Sequence, residues 1–476
     1  MLDSLTLRRT LRAPARPIRV EGAALDILDE WQPALLAAVV ATCVASVAVS
    51  QFFLTLALLA LVVRLATGRA RLHRISMTVP VLAFGVWTQL SACFAEDPVA
   101  AHEAAKKLVL FVVLWIAADS LGRTRVRERV LDVALLGGLV LGIGCLAQYY
   151  LLGFDTLDNR PRGFLGHYMT SAGLAMVTLA LAVARLLFSG APLTRPSRRD
   201  WLALGGVLVA LAALLFLGHA ELLGNKVERA LVALTLAGCA LSLVRGDWAG
   251  DGTRTLLTLL VIPISAWALV VSQTRSAWLG TVAGLAVVLF LWAPRALLVI
   301  PAGLAFVLAF GPQQVLDRLT VTDASSRDRY YMLQAGIDIV AERPIFGVGP
   351  GQIQTVYPRY RWPEAPNVQA SHLHDNAVQI AAERGLFGLA FWIWMVFAGM
   401  RDALKAERRG ARGPGWVSVG ALAVWTAVMA AGLFEYNFGD SEILMVLLLV
   451  AGTPYTLRED AGGSAASGPD GAPAPA

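Results

Sequence analysis

The chain has 476 residues, 57% of them hydrophobic and only 16% charged, with a mean hydropathy of +0.62. That composition lies outside the range of soluble globular domains and predicts an all-α polytopic membrane protein. The net charge of +6 follows from the membrane topology described below, so it gives no reason to invoke nucleic acid.

Residues 1–32 are polar and Arg-rich, carry no cleavage pattern, and read as a cytoplasmic N-terminal segment. Apolar runs near the roughly 17 to 25 residues that cross a bilayer as helices then recur near 33–48, 50–64, 77–94, 107–121, 131–152, 168–188, 201–218, 229–245, 255–273, 276–292 and 296–311. The first two are separated only by the residues around Ser50, and form either a tight hairpin or one longer broken helix. A long, less hydrophobic segment occupies 312–385 and is followed by runs near 386–400, 416–433 and 441–456. The expected architecture is thus about 12–14 transmembrane helices in two groups, 33–311 and 386–456, with one long helical loop between them. The tail, 457–476, is rich in Gly, Ala, Pro and Ser and reads as a disordered extension.

Basic residues orient this arrangement, because short Lys- and Arg-rich loops stay on the cytoplasmic side. With the N-terminus inside, cytoplasmic segments hold 26 of the 40 Lys and Arg; of the rest, 7 lie in the long loop and 7 in the other outer segments. Both termini then face the cytoplasm and the long loop faces out. Cys43, Cys93, Cys145 and Cys239 all fall in predicted spans without paired spacing, which speaks against a disulfide framework or structural zinc.

In the long loop, Ser325-Ser326 are placed to cap a helix presenting Leu333, Ile337 and Val340 on one face and stopping before Pro344. A second helix is expected from about Ser371 to Gly385. The turn Gly347-Val348-Gly349-Pro350-Gly351 lacks the strand, helix and Lys-Ser/Thr of a nucleotide phosphate loop, and reads instead as a sharp turn that positions the histidine segment.

The spans are nearly empty of ionisable groups at their middles, which counts against a channel or ion-coupled transporter. Polar residues collect instead in four outer segments: Asn159 to Gly163, Gln273 to Ser276, the long loop, and Glu435 to Asp440. Sharing one membrane face, these could form one pocket. Arg160, Arg162, Arg275, Arg327 and Arg329 are suited to hold a lipid-linked diphosphate, since guanidinium binds phosphate oxygens in a planar, bidentate way; alternatively they anchor helix ends at lipid headgroups. His372 and His374 admit three readings: a general base acting on a sugar hydroxyl, structural polar residues, or metal ligands, for which no spaced set completes a site. Glu435, Asp440 and Glu442 either support the pocket, pair with the arginines, or simply mark charged helix ends.

The run Arg-x-Arg-Tyr-Tyr, Ala-Gly-Ile-x-Ile, Arg-Pro-Ile-Phe-Gly-Val-Gly-Pro-Gly and His-Leu-His-Asp-Asn-Ala-Val-Gln-Ile-Ala-Ala-Glu-Arg-Gly-Leu-x-Gly over 327–388 resembles the bacterial O-antigen ligase and O-antigen polymerase superfamily. Arg162-Gly163-Phe164 and Thr274-Arg275-Ser276 agree more weakly. The resemblance implies a membrane-embedded, GT-C-like, metal-independent glycosyltransferase of the bacterial inner membrane, with no cofactor. Its implied donor is an undecaprenyl-diphosphate-linked glycan on the periplasmic face, and its implied acceptor is lipid A-core. By position, His374 would be the base; Arg162 and Arg275 would hold the diphosphate; His372 and Asn376 would shape the acceptor side; Arg160, Arg327 and Arg329 would add charge. Where members typically have Asn after the second histidine, this chain has Asp375 followed by Asn376. A polysaccharide polymerase, a protein-glycosylating ligase and a multipass solute transporter are the competing readings.

Overall fold

The computed structural model describes residues 22–72, 75–190, 192–219, 225–246, 250–317, 324–408 and 415–463. Among these residues it is all-α, with no strand. All fourteen predicted apolar runs fall on helix. By length and composition, seven helices among the described residues can cross a membrane, and four further apolar helices are shorter.

The described residues open with α1 (Ala23–Cys43) and α2 (Val47–Ala66), an antiparallel hairpin. Ser50 Oγ donates to the Val39 carbonyl (2.7 Å) and Gln32 Nε2 to that of Ala57 (2.9 Å), so two polar groups buried between them bridge one helix to the other. Next come α3 (Thr78–Cys93), α4 (Pro98–Ala105), a 3-10 turn (Lys106–Phe111) and α5 (Val112–Ser120). α6 (Thr124–Leu151) and α7 (Tyr168–Phe188) are the most buried of the long apolar helices and form the centre of the bundle. α8 (Arg198–His219), α9 (Asn225–Arg245), α10 (Asp251–Val271), α11 (Arg275–Trp292) and, after a 3-10 turn, α12 (Val299–Phe310) complete the first group.

At one end of the bundle a buried charge network ties four helices together. Asp132 on α6 accepts from Arg185 on α7 (2.6 Å) and Arg254 on α10 (3.1 Å). Arg127 donates to Thr456 (2.9 Å) on α18 (Ser441–Gly463). Removing one member of such a pair leaves a buried charge, at a cost of about 3–5 kcal/mol.

The long segment is folded. α13 (Gln313–Asp317), α14 (Ala324–Glu342) and α15 (Ile353–Tyr360) lead into α16 (Asn376–Arg408), and α17 (Gly415–Ala431) precedes α18. Met332, Ala335 and Ile339 of α14 pack with Val348, Val356, Tyr357 and Leu373 into a small second core. Several expectations need correction here. Of the expected face of α14, Val340 does pack against the second core, but Ile337 is half exposed (49%), and the fully buried stripe runs through Met332, Ala335 and Ile339. Ser325 and Ser326 lie inside the first turn of α14 rather than at its cap, and residues 318–323 lie outside the described residues. α16 starts at Asn376, not near Ser371, since the Asp375 carboxylate takes the capping position and accepts from the Val378 amide (2.8 Å). α18 continues to Gly463, beyond the expected end of the last span; the tail from 464 on lies outside the described residues.

Gly385 does break α16, as a chain with φ 68° and ψ −179° must. Its α-carbon faces the glycine turn: a Cβ there would meet the Ile345 carbonyl oxygen at 1.9 Å. The turn docks backbone to backbone on this break, with Val348 N donating to Ala382 O and Gly349 N to Glu383 O (both 2.9 Å).

Candidate functional site

The four polar segments, Asn159 to Gly163, Gln273 to Ser276, the long segment and Glu435 to Asp440, meet at the end of the bundle opposite the charge network. Gln273, held at φ 53°, donates to the Asp155 carbonyl (3.1 Å), joining the loop before α11 to the loop before α7. Thr170 Oγ1 donates to Asp440 (3.1 Å). α11 and α17 are drawn together by Gly280 and Gly284, where a Cβ would lie 2.5 Å and 3.0 Å from the Ala427 and Ala423 carbonyl oxygens. This close approach of small residues sets Arg275, at the start of α11, opposite the chain that leaves α17.

The histidine segment is fixed from both sides. On one side, Gln379 accepts from the Leu373 amide (2.7 Å) and donates to Glu383 (2.7 Å), which also accepts from Gly351 N (2.9 Å). The glycine turn is thereby coupled to the backbone between the two histidines. On the other side, Asn376 N donates to Gly432 O (2.7 Å) and the Asn376 side chain donates to Asn437 (2.8 Å) and accepts from Phe438 N (3.1 Å). Between these anchors His374 adopts φ 53°, a conformation few non-glycine residues take without support.

Glu435 is the centre toward which charges converge. His374 Nδ1 donates to its Oε2 (3.0 Å), Arg329 Nη2 lies 3.6 Å from the same oxygen, and His372 Nε2 lies 3.7 Å from Oε1. Burial opposes the charge on Glu435, but the hydrogen bond from His374 and the positive charges around it prevail and hold its carboxyl below the usual range. His372 is pushed down to about 4, by burial first and by His374 second, and is neutral at ordinary pH. Asp440 is pushed up to about 7 by burial and by the neighbouring charges of Glu442 and Glu435.

A cleft of about 400 Å³ opens beside this cluster. Arg275, Arg329, His374, Ser276, Ser326, Tyr330 and the carboxyl-bearing Asp375 line its polar side, and Leu279, Leu333, Leu433 and Phe434 its apolar wall. Arg275 Nη2 donates to Ser326 Oγ (3.0 Å), tying α11 to α14. Leu433 and Phe434 are 58% and 49% exposed, so the cleft is open on its apolar side.

The other candidate residues sit differently. Asn376 is buried and serves the join just described. Arg327 is exposed and does not line the cleft. Arg160 stacks on the Tyr168 ring at 4.0 Å, and Arg162 lies over Phe154 at 5.5 Å; neither lines the cleft. They remain electrostatic neighbours of it. Desolvation lowers Arg160, and the charges of Arg329 and Arg275 lower it further. His167, which the sequence reading did not single out, is lowered by desolvation and also feels Glu435, His374 and Arg160. No motif marks it; only the turn of chain into α7 brings it here.

No third partner for the histidine pair is evident in the sequence, and the fold supplies one. Donor atoms of His372, His374 and Glu435 lie within 4.8 Å of one another. The same closeness arises when a buried carboxylate collects imidazoles, and Arg329 beside Glu435 favours that interpretation, because a guanidinium and a divalent cation would compete for one negative charge.

Fold and site together define an all-α multipass membrane protein with a cationic, imidazole-bearing cleft at one end of its helices. Residues 259–393 match the family model described as O-antigen ligase, which supports placing the chain in the O-antigen ligase and polymerase superfamily, a glycosyltransferase-like group. The match contains Arg275, Arg327, Arg329, His372, His374 and Asn376, and leaves Arg160, Arg162 and Glu435 outside. No curated protein matches the chain.

Proposed function

We propose that this protein is an O-antigen ligase that transfers glycan from an undecaprenyl-diphosphate-linked donor to lipid A-core on the periplasmic face of the inner membrane. The observation that carries this reading is the cleft itself, where Arg275 and Arg329 stand beside His374 and an open apolar wall.

The guanidinium groups of Arg275 and Arg329 bind the donor diphosphate, while Arg160 and Arg162 add positive charge at the rim. Leu279, Leu433 and Phe434 meet the first isoprenoid units where the lipid leaves the cleft. His374 takes the proton of the acceptor hydroxyl as its oxygen forms a bond to the anomeric carbon. The bond from that carbon to the diphosphate breaks, and its electron pair leaves on the diphosphate oxygen. Negative charge develops there, so fixed cations stabilise the transition state more than the ground state. The donor is already activated, and neither a nucleotide nor a metal ion enters this scheme.

Replacing His374 with Ala is expected to lower transfer by about 10²–10⁴-fold, the usual worth of a positioned general base. Normal surface glycan in both His374→Ala and Arg275→Ala cells would remove the enzyme reading and leave a transporter. A gel of lipopolysaccharide from a deletion strain separates ligase from polymerase. Bare lipid A-core with long glycan retained on the carrier fits a ligase; core bearing a single repeat unit fits a polymerase.

A further inference from the structure

Glu435 lies outside the segment that matches the family model, on the loop between α17 and α18, 61 residues beyond His374. It does not line the cleft, and its side chain is only 8% exposed, so it is placed to act on a histidine rather than on a substrate. An ionised carboxylate only accepts hydrogen bonds. The imidazole nitrogen 3.0 Å away, Nδ1, must therefore carry the proton, and in the neutral ring this leaves Nε2 as the basic atom. His372 does not take over this role, because its Nε2 stands 3.7 Å from the other carboxylate oxygen, beyond a normal hydrogen bond.

We propose that Glu435 is the positioning residue of the transfer reaction: its Oε2 holds the Nδ1–H of His374, presents Nε2 as the base, and balances the imidazolium formed when Nε2 takes the acceptor's proton. The inference rests on the function proposed above. During the step the acceptor O–H bond breaks and an Nε2–H bond forms, while Glu435 stays ionised throughout. The groups that face this pair are His372 in the same segment, Arg329 on α14, His167 before α7, and Tyr436 and Asp440 on the loop that carries Glu435. Arg329 also keeps a charge on the carboxylate after the proton arrives, which holds the pair in place between turnovers.

The test uses the full-length protein in lipid nanodiscs, with a synthetic polyprenyl-diphosphate oligosaccharide as donor and purified lipid A-core as acceptor. Glu435→Gln keeps the shape but not the charge. The expected result is a kcat lower by about 10²–10⁴-fold, in line with amide replacement of an orienting carboxylate, with little change in KM. The rise of activity with pH should also move to lower pH, because the imidazolium loses its counter-charge. A merely structural Glu435 would leave that limb where it is, so a wild-type kcat and pH profile in the folded variant overturns the proposal. A second measurement needs no variant: ¹⁵N spectra of the histidine-labelled wild-type protein above the titration should show His374 protonated at Nδ1 and bare at Nε2. The opposite tautomer overturns the proposal even if Glu435→Gln does not fold. Full activity in His374→Ala would instead defeat the underlying functional reading, whereas an inactive His374→Ala alongside a normal Glu435→Gln defeats this inference alone.

Discussion

Asn376 and Asn437 hold each other across 61 residues of chain, amide nitrogen to amide oxygen at 2.8 Å, both buried. The bond joins the histidine segment to the loop that carries Glu435, and through it the two halves of the His374–Glu435 pair are kept at hydrogen-bonding distance.

Replacing Asn376 with Ala would leave the side-chain oxygen of Asn437 and the amide of Phe438 without the partners they have in Asn376, while Asn437 Nδ2 keeps its bond to the Val428 carbonyl. A buried polar group left unpaired costs about 1–3 kcal/mol, so a lower melting temperature is expected in detergent or nanodiscs. Because the loop also loses its register, activity should fall further than the loss of folded protein explains. Equal losses in the two measurements would show that the residue acts on stability alone.

Gly385 tests the coupling of the glycine turn to the histidines. An alanine there would combine a left-handed φ, at about 1–3 kcal/mol, with a Cβ against the Ile345 carbonyl. Gly385→Ala is therefore expected to give little monodisperse protein. A well-folded variant with normal activity would mean that the break in α16 can be made without glycine and that the turn does not set the histidine segment.

Arg275 separates charge from geometry. Lysine keeps the positive charge but loses the planar fork that grips a diphosphate. Losing a preorganised charge-stabilising group costs about 10²–10³-fold in kcat, the drop expected for Arg275→Ala; Arg275→Lys should fall between that and wild type. Turnover with the polyprenyl-diphosphate donor is the measurement, and a lysine variant as active as wild type would rule out bidentate binding.

Asp440 makes a prediction about pH. Its carboxyl is raised to about 7 in the folded protein, above the ordinary value near 3.9, so the folded state binds the extra proton between those limits. The cost of its charge is fully present above pH 7 and disappears as pH falls toward 4. Asp440→Asn keeps an oxygen for Thr170 and removes the charge. It should therefore stabilise the protein at pH 8 and lose that advantage on acidification, as thermal unfolding across the pH range would record. His372 has the opposite sign: its folded value near 4 means the unfolded chain takes protons first as pH falls below about 6.5, so wild-type stability changes less with pH than either group alone would give.

Much of this was legible in the chain. Apolar runs of bilayer length located the helical segments, because without water the backbone must satisfy itself within each helix. Separation of polar residues from those runs singled out four outer segments. The glycine turn and Gly385 announced a break, since only glycine takes such angles next to another backbone without strain. What could not be read was the partner of each side chain. Ser326 looked like a helix cap and proved to be a contact of Arg275; of the expected α14 stripe Val340 meets the second core but Ile337 does not; and Glu435 could not be told from an ordinary charged helix end.

Sequence by itself determined the class of molecule and the residue types its polar inter-helix segments offer, because hydropathy and local backbone preference act over a few turns of chain. Tertiary structure alone decided that Arg275 and Arg329 share a cleft with His374 while Arg162 and Arg327 do not, and that Glu435 is the carboxylate on which His374, His372 and Arg329 converge. Those relations depend on helix–helix approach, as at Gly280 and Gly284 against α17, and a contact between segments that lie far apart in sequence leaves no periodic trace in either of them.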